Sequence, residues 1–386
     1  MFKAATINFK EPFSQDMGRR MGQALVEELG QTPKACWLFC APERELENLL
    51  GGINDTVGTK KLIGCTTDGE ISSDGFRNGS AVLAGIASDQ IDFHIASAKN
   101  LGQGSERTGR ELAESLPQTV RYIQLFSDGL TGNGCAILRG MASVLGEQVP
   151  IAGGTAGDAG KFYRTWQFAG DKVLSDAAVA IGFSGDFYLG TGVRSGWSSI
   201  GLPKKATRAS GNILYELDGQ PALKVFERFL GKHAEKLPAV GVEYPLGLVG
   251  KWGDAGEDDY HLLRATMTVN RQEGSISFAG EIPEGAMMRL TCGDNTSILE
   301  AAGKAARLAM ADMGDRTLAM VFVYSCMARK IVLGRRTREE MERIRQVVGN
   351  RVPMVGFYSY GEYCRVKCRG PSLLHNETAT VSVIGI

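Results

Sequence analysis

Apolar residues follow two rhythms along this chain. Between residues 14 and 29, Met17, Met21, Ala24, Leu25 and Leu29 recur at helical spacing, with Ser14 placed to cap the first turn and Gly30 to end the last. Residues 35–40 form a continuous apolar run, which predicts a buried strand. A helix over 43–50 and a strand over 61–63 follow. The same succession returns twice. It predicts a strand over 122–126, a helix over 135–145 and a strand over 151–152, then a strand over 318–324, a helix over 338–348 and a strand over 354–355. In the last helix Met341, Ile344 and Val348 form the buried stripe, against Arg338, Glu339, Glu342 and Arg345 on the polar side.

Each succession ends in one local grammar. Lys61-Leu62-Ile63-Gly64-Cys65-Thr66-Thr67-Asp68-Gly69-Glu70, Pro150-Ile151-Ala152-Gly153-Gly154-Thr155-Ala156-Gly157-Asp158 and Pro353-Met354-Val355-Gly356-Phe357-Tyr358-Ser359-Tyr360-Gly361-Glu362 share it. An apolar run meets glycine, then small, hydroxylated or aromatic residues, then Gly and an acid. A further apolar run follows each, at 81–86, 177–183 and 380–386. A grammar used three times indicates a duplicated β-α-β-loop-β unit. The centre differs: a tight turn at Asp218-Gly219, a helix over 223–230, strands near 246–249, 260–269, 275–279 and 287–290, and an Ala-rich helix over 294–313. The fold class predicted is α/β, two related halves built from the repeated units, with mixed sheets and flanking helices. The boundary is placed near residue 205, giving domains 1–205 and 206–386.

Composition narrows the function. Lysine plus arginine equal aspartate plus glutamate at 43 each, so no global field invites nucleic acid or anionic lipid. No apolar run approaches the ~18 residues of a membrane span, and the start lacks the apolar region of a signal peptide. Eight cysteines without framework spacing predict a reducing, cytoplasmic setting. The 50 glycines imply tight loops and close backbone approaches.

The Gly-acid loops are the first candidate site. Glu70, Asp158 and Glu362 could face one another and do acid–base work or hold an amine; alternatively each closes its own turn on backbone amides. Ser127-Asp128-Gly129, opening a helix, could hold an anion or be a capped turn. Cys364 and Cys368 lie in a basic stretch that would lower a thiol pKa, and with His375 offer three metal donors. No fourth donor is evident, so zinc is not expected. His261 opens an apolar strand, where its imidazole could face a cavity and bind a metal or haem iron, with His233 behind it, or could simply accept a hydrogen bond. No Gly-x-Ser-x-Gly, His-Glu-x-x-His or Cys-x-x-Cys occurs, so no enzyme is predicted.

Several of these stretches resemble the FIST family of sensory modules, which has an N-terminal and a C-terminal part. They are Ile63–Glu70, Ser127-Asp128-Gly129, Gly153–Asp158, Tyr215-Glu216-Leu217-Asp218-Gly219-Gln220-Pro221-Ala222, Ser325-Cys326-x-Ala328-Arg329, Gly356–Glu362 and His375-Asn376-Glu377-Thr378. The resemblance implies intracellular sensing of a small ligand, amino acids being proposed for the family at large. It implies cavity loops bearing Thr67, Gly69, Glu70, Thr155, Asp158, Arg264, Cys326, Arg329, Tyr358 and Glu362. A narrower resemblance is to stand-alone, haem-binding members that sense nitric oxide (the NosP type). It implies haem b as cofactor, a diatomic gas as signal and a histidine kinase or phosphorelay protein as partner. At Tyr363-Cys364-Arg365 the chain departs from the commoner family continuation. Two rivals stand beside haem sensing. One is an amino-acid sensor with Arg264 or Arg329 on the carboxylate and Glu362 or Asp158 on the amine. The other is an enzyme using Cys326 as nucleophile. A homodimer is expected on base rates alone.

Overall fold

The computed structural model describes residues 2–250, 261–366 and 370–386. Its first unit runs β1 (Phe2–Phe9), α1 (Gln15–Leu29), β2 (Ala35–Cys40), α2 (Leu46–Val57), β3 (Leu62–Thr66), a hairpin of β4 (Glu70–Ser72) and β5 (Gly75–Arg77), and β6 (Ala81–Ser88). The second repeats it as β7 (Ile91–Lys99), α3 (Ser105–Glu114), β8 (Tyr122–Ser127), α4 (Gly134–Leu145), β9 (Ile151–Thr155), hairpin β10 (Gln167–Ala169) and β11 (Lys172–Leu174), and β12 (Ala177–Gly185).

The third begins with β13 (Tyr188–Arg194) and is interrupted by an inserted sheet. That insertion comprises β14 (Trp197–Ser210), β15 (Ile213–Leu217), β16 (Gln220–Pro221), α5 (Ala222–Leu230), β17 (Leu246–Leu248), β18 (Leu262–Arg264), β19 (Thr266–Asn270), β20 (Ser275–Phe278) and β21 (Met287–Gly293). The unit resumes with α6 (Asn295–Ala311), β22 (Leu318–Cys326), α7 (Met327–Leu333), α8 (Thr337–Val348), β23 (Met354–Ser359), hairpin β24 (Glu362–Arg365) and β25 (Ser372–His375), and β26 (Ala379–Gly385). The predicted mixed α/β architecture with flanking helices is what forms.

The sheets exchange parts in a cycle. Their strand orders are β1-β6-β2-β3-β10-β11, β7-β12-β8-β9-β24-β25 and β13-β26-β22-β23-β4-β5. Four strands of each come from one unit and the closing hairpin from another. Each central pair, β2–β3, β8–β9 and β22–β23, is parallel while the flanking pairs are antiparallel. The inner faces meet in an aromatic core. Phe39 lies 5.2 Å from Phe126 and 4.7 Å from Phe357, and Trp37 lies 5.2 Å from Phe322, ring centre to ring centre. The Trp37 indole N–H donates to Gln124 Oε1 at 2.7 Å, so the polar edge of that ring is matched.

Glycine sets the helix pairs. A Cβ on Gly18 would stand 2.3 Å from Leu49 O and one on Gly52 2.0 Å from Gln15 O; Gly109 and Gly140 meet Ile137 O and Glu106 O in the same way between α3 and α4. Backbone therefore packs on backbone. This explains why α2 continues through Gly51-Gly52, where a helix ending at residue 50 was expected. Gly51 itself has open space around its Cβ position. Gly51→Ala is therefore expected to raise stability by about 0.5–1 kcal/mol, read from the denaturant midpoint.

The boundary expected near residue 205 falls inside β14. That strand pairs with β21 through Lys205 and with β15 from Ala206, so it changes partner there without breaking. The single strand expected over 260–269 is two, β18 and β19, paired to β17 and β20.

Candidate functional site

The three Gly-acid loops do converge. Asp68 N donates to Tyr358 O, Tyr358 N to Gly69 O, Thr155 N to Gly361 O and Gly157 N to Thr66 O, stitching the loops together by backbone. Their acids, however, turn inward on their own loops. Glu70 accepts from Thr67 Oγ1 (2.6 Å) and from the N and Oγ of Ser80 (2.9 and 2.8 Å). Glu362 repeats this with Ser359 Oγ (2.7 Å) and the N and Oγ1 of Thr378 (3.2 and 2.8 Å). Burial pushes Glu70 up to about 7 and Glu362 up to about 8.

Asp158 is not their equivalent. Glu70 pairs with Phe357 and Glu362 with Gly154, and the matching position against Cys65 is Gln167. Asp158 instead accepts the amides of Phe162, Tyr163 and Arg164 and the Tyr360 hydroxyl. Burial raises its carboxyl, but these bonds outweigh it and hold Asp158 below the usual range. Thr155, Gly69 and Tyr358 are likewise absorbed into the loop junction. Asp68, which the sequence did not single out, forms an ion pair with Lys330 at 2.7 Å.

Behind the loops lies a fully buried node. Arg329 Nε pairs with Glu340 Oε1 at 2.6 Å, and its Nη2 donates to Ile298 O at 2.8 Å. Glu340 also accepts from Ser325 Oγ (3.0 Å) and Tyr358 OH (2.7 Å). Arg329 is thus spent inside the protein rather than presented to a carboxylate. Cys326 is 2 % exposed, and burial with Glu362 and Glu377 nearby pushes its thiol well up. That is the reverse of what a nucleophilic thiolate needs.

Cys364 differs from the redox thiol of lowered pKa that its basic neighbours led one to expect. It is buried in β24, and burial pushes its thiol up to about 12. Cys368 lies outside the described residues. His375 is fully buried, with Nε2 2.9 Å from Cys364 O; burial lowers it to about 4. Among the described residues no three His, Cys, Asp or Glu side chains are grouped to hold a metal.

A cavity with convergent polar groups lies elsewhere, between α4, β17–β18 and β25. It is a groove of about 250 Å³. Leu138, Ala142, Val149, Ile151, Leu248, Leu262, Pro283, Leu373 and Leu374 form its apolar walls, while Cys135, Arg139, Arg264, Glu147 and Glu281 add polar groups. Arg139 forks onto Glu281 at 2.7 and 3.0 Å, and Asn133 Nδ2 donates to Glu281 Oε1 at 2.7 Å. Arg264 is 3 % exposed and donates from Nε to Glu281 O (2.8 Å) and from Nη1 to the carbonyls of Leu263 and Leu374. Of the cavity residues expected from sequence, Arg264 is in place here. Arg139 and Glu281 escaped sequence reading, because they meet from helix and loop more than a hundred residues apart.

The groove does not fit haem. Its volume lies below the ~300–1,000 Å³ of ordinary ligand pockets, and alternation along β18 turns His261 away from it. Leu262 and Arg264 line the groove, whereas His261 lies over Gly247. His233 sits in the turn after α5, its ring 6.3 Å from that of Tyr244. Neither imidazole lines this groove. No helix among the described residues is long and apolar enough to cross a membrane.

Residues 34–220 match the family model of the FIST N domain, and residues 222–365 that of the FIST C domain. An uncharacterized protein of Methanocaldococcus jannaschii is 23% identical over 387 residues, covering 89% of this chain and 72% of its own length. An uncharacterized protein of Mycobacterium tuberculosis is 24% identical over 364 residues, covering 87% of this chain and 86% of its own. Among solved structures, a cyanuric acid hydrolase from A. caulinodans aligns over 100% of this chain and 99% of its own at 9% identity, with a TM-score of 0.38.

Proposed function

Because the chain belongs to the FIST family, we propose that it is a sensory binding protein, not an enzyme, whose small amphipathic ligand enters the groove between α4 and the inserted sheet. The observation that carries this reading is the groove's composition. An apolar trough ends in two arginines and a carboxylate, and its walls come from both the N-matched and the C-matched parts. A free amino acid with an apolar side chain suits it: its carboxylate would take the half-exposed Arg139 from Glu281, which turns to the ammonium, while the buried Arg264 holds the Glu281 main chain in place. Binding would tie α4 to β25 and β17–β18, and that linkage supplies the conformational readout a signalling partner needs.

Thermal-shift measurements against an amino-acid panel test the reading. A ligand at a hundred times its Kd stabilises by about 2.7 kcal/mol; Leu138→Trp, which fills the trough, is expected to abolish that shift. No stabilisation by any member of the panel would overturn the amino-acid assignment.

In the finer reading the ligand is haem b, the signal nitric oxide and the partner a histidine kinase. Its support is the resemblance of the sequence to haem-binding family members, and the histidines named for it do not meet at the groove. Haem titration followed in the Soret region separates the two. No saturable band is expected, and a band lost in His261→Ala would restore the haem reading.

A further inference from the structure

Strand register lays the three units on one another. Ala81, Ala178 and Ala379 stand opposite Cys40, Ser127 and Ser325 in equivalent ladders. Two residues before each alanine come Gly79, Asp176 and Glu377, with φ of 68°, 49° and 61°. The turn demands a left-handed residue in every unit, and the first meets it with glycine at no steric cost. Asp176 uses its side chain, accepting Gly102 N at 2.7 Å. Glu377 differs from both. It is fully buried, and neither carboxyl oxygen has a hydrogen-bond partner among the described residues. A strained backbone and an unmatched buried acid coincide where glycine serves the first unit, and such coincidences mark functional positions.

Titratable groups bear on it from three elements. Glu362 on β24 and the Cys326 thiol at the end of β22 act on it electrostatically or lie beside it, as does Arg329 on α7. Arg329 Nη1 reaches the main-chain carbonyl of Glu377 at 3.4 Å, while its Nε is held by Glu340 from α8. His375, on β25, is engaged with the Cys364 carbonyl. Two carboxyls and a thiol therefore share one guanidinium already matched by Glu340. Ionising both carboxyls would leave a buried charge without a counter-ion among the described residues. The described residues offer no metal-binding group that would compensate it, and a proton does.

We propose that Glu377 is carried as a neutral carboxylic acid in the folded protein, a proton site that discharges when the junction between β25 and β26 opens. Burial raises Glu377, Glu362 raises it further, and Arg329 opposes them. The sign follows from linkage. The acid's contribution is full below the ordinary glutamate range near ~4.3 and is lost as pH rises toward the folded value, because the unfolded chain ionises first. The site also adjoins the groove: Leu373 and Leu374 line the groove, and the chain then runs directly into His375, Asn376 and Glu377.

Urea unfolding of the full chain from pH 5 to 8 tests this, comparing wild type with Glu377→Gln and Glu377→Gly. The wild-type unfolding constant is expected to rise with pH, and in both variants to rise less steeply by about tenfold per pH unit, the signature of one proton. Glu377→Gly also relieves the backbone, so its slope decides the matter if the glutamine variant fails to fold. An unchanged slope overturns the proposal. So does a variant less stable than wild type at pH 8, since that would show an ionised, satisfied carboxylate.

Discussion

Replacing Arg329 by methionine is expected to destabilise the protein by about 3–5 kcal/mol, the cost of leaving one member of a buried ion pair without its partner. The geometry puts it at the upper end. Arg329 and Glu340 are both fully buried and 2.6 Å apart. The guanidinium also bonds the carbonyls of Ser195, Ile298 and Glu377. It thereby joins α7 to α8, the start of α6, the β13–β14 junction and the turn before β26. Without it Glu340 keeps Ser325 and Tyr358 as donors but loses its counter-ion. The double variant Arg329→Met, Glu340→Leu removes both charges and is expected to recover part of the loss. Arg19 and Asp55, paired at 3.0 Å but about half exposed, provide the contrast. Arg19→Ala should shift stability by no more than about 1 kcal/mol. Chemical denaturation of the four proteins gives the comparison directly.

The second large effect is expected from Gly356→Ala. A Cβ at Gly356 would lie 1.7 Å from Val323 O, across the parallel pair β22–β23. Gly64 and Gly153 occupy the same place in the other units, 1.8 Å from Leu38 O and 2.0 Å from Leu125 O. The obstructing atom is backbone in every case, so no rotamer change relieves it. Accommodation requires the central strand pair to spread, and with it the aromatic core that includes Phe357. A loss of about 3 kcal/mol or more is expected, at or beyond the top of the usual overpacking range. The far-UV spectrum should survive at low temperature while the unfolding midpoint falls.

Much of this architecture was legible in the sequence, because periodicity reports burial. Residues 35–40 read as a buried strand, and all six are buried in β2. Ser14 caps α1 through Met17 N, and Gly30 ends it at φ 66°. The repeated grammar marked loops that meet in space. What sequence could not carry was which hairpin closes which sheet, since pairing between β4 and β23 leaves no local trace. The acids were similarly ambiguous. Gly-Asp in the second loop mimics Gly-Glu in the others, yet strand register gives the equivalent place to Gln167. The groove was only half visible for the same reason. Arg264 stands out within an apolar strand, whereas Arg139 reads as the polar face of a helix and Glu281 as part of a loop.

The cyclic exchange of hairpins sets an order of events during synthesis. As the chain leaves the ribosome, the first sheet has all its strands once Leu174 has emerged. The second is left with β9 lacking its neighbour until β24 and β25 arrive near the end. Meanwhile β4, already paired with β5, waits for β23 on its other edge, where Ile71 meets Gly356. A nascent chain that stops at the end of the N-matched part therefore carries an open sheet edge and an orphan hairpin, both templates for association with other chains. The two family parts are consequently expected to fold as one unit, and fragments cut between them at residue 221 should aggregate when expressed apart and regain solubility when expressed together.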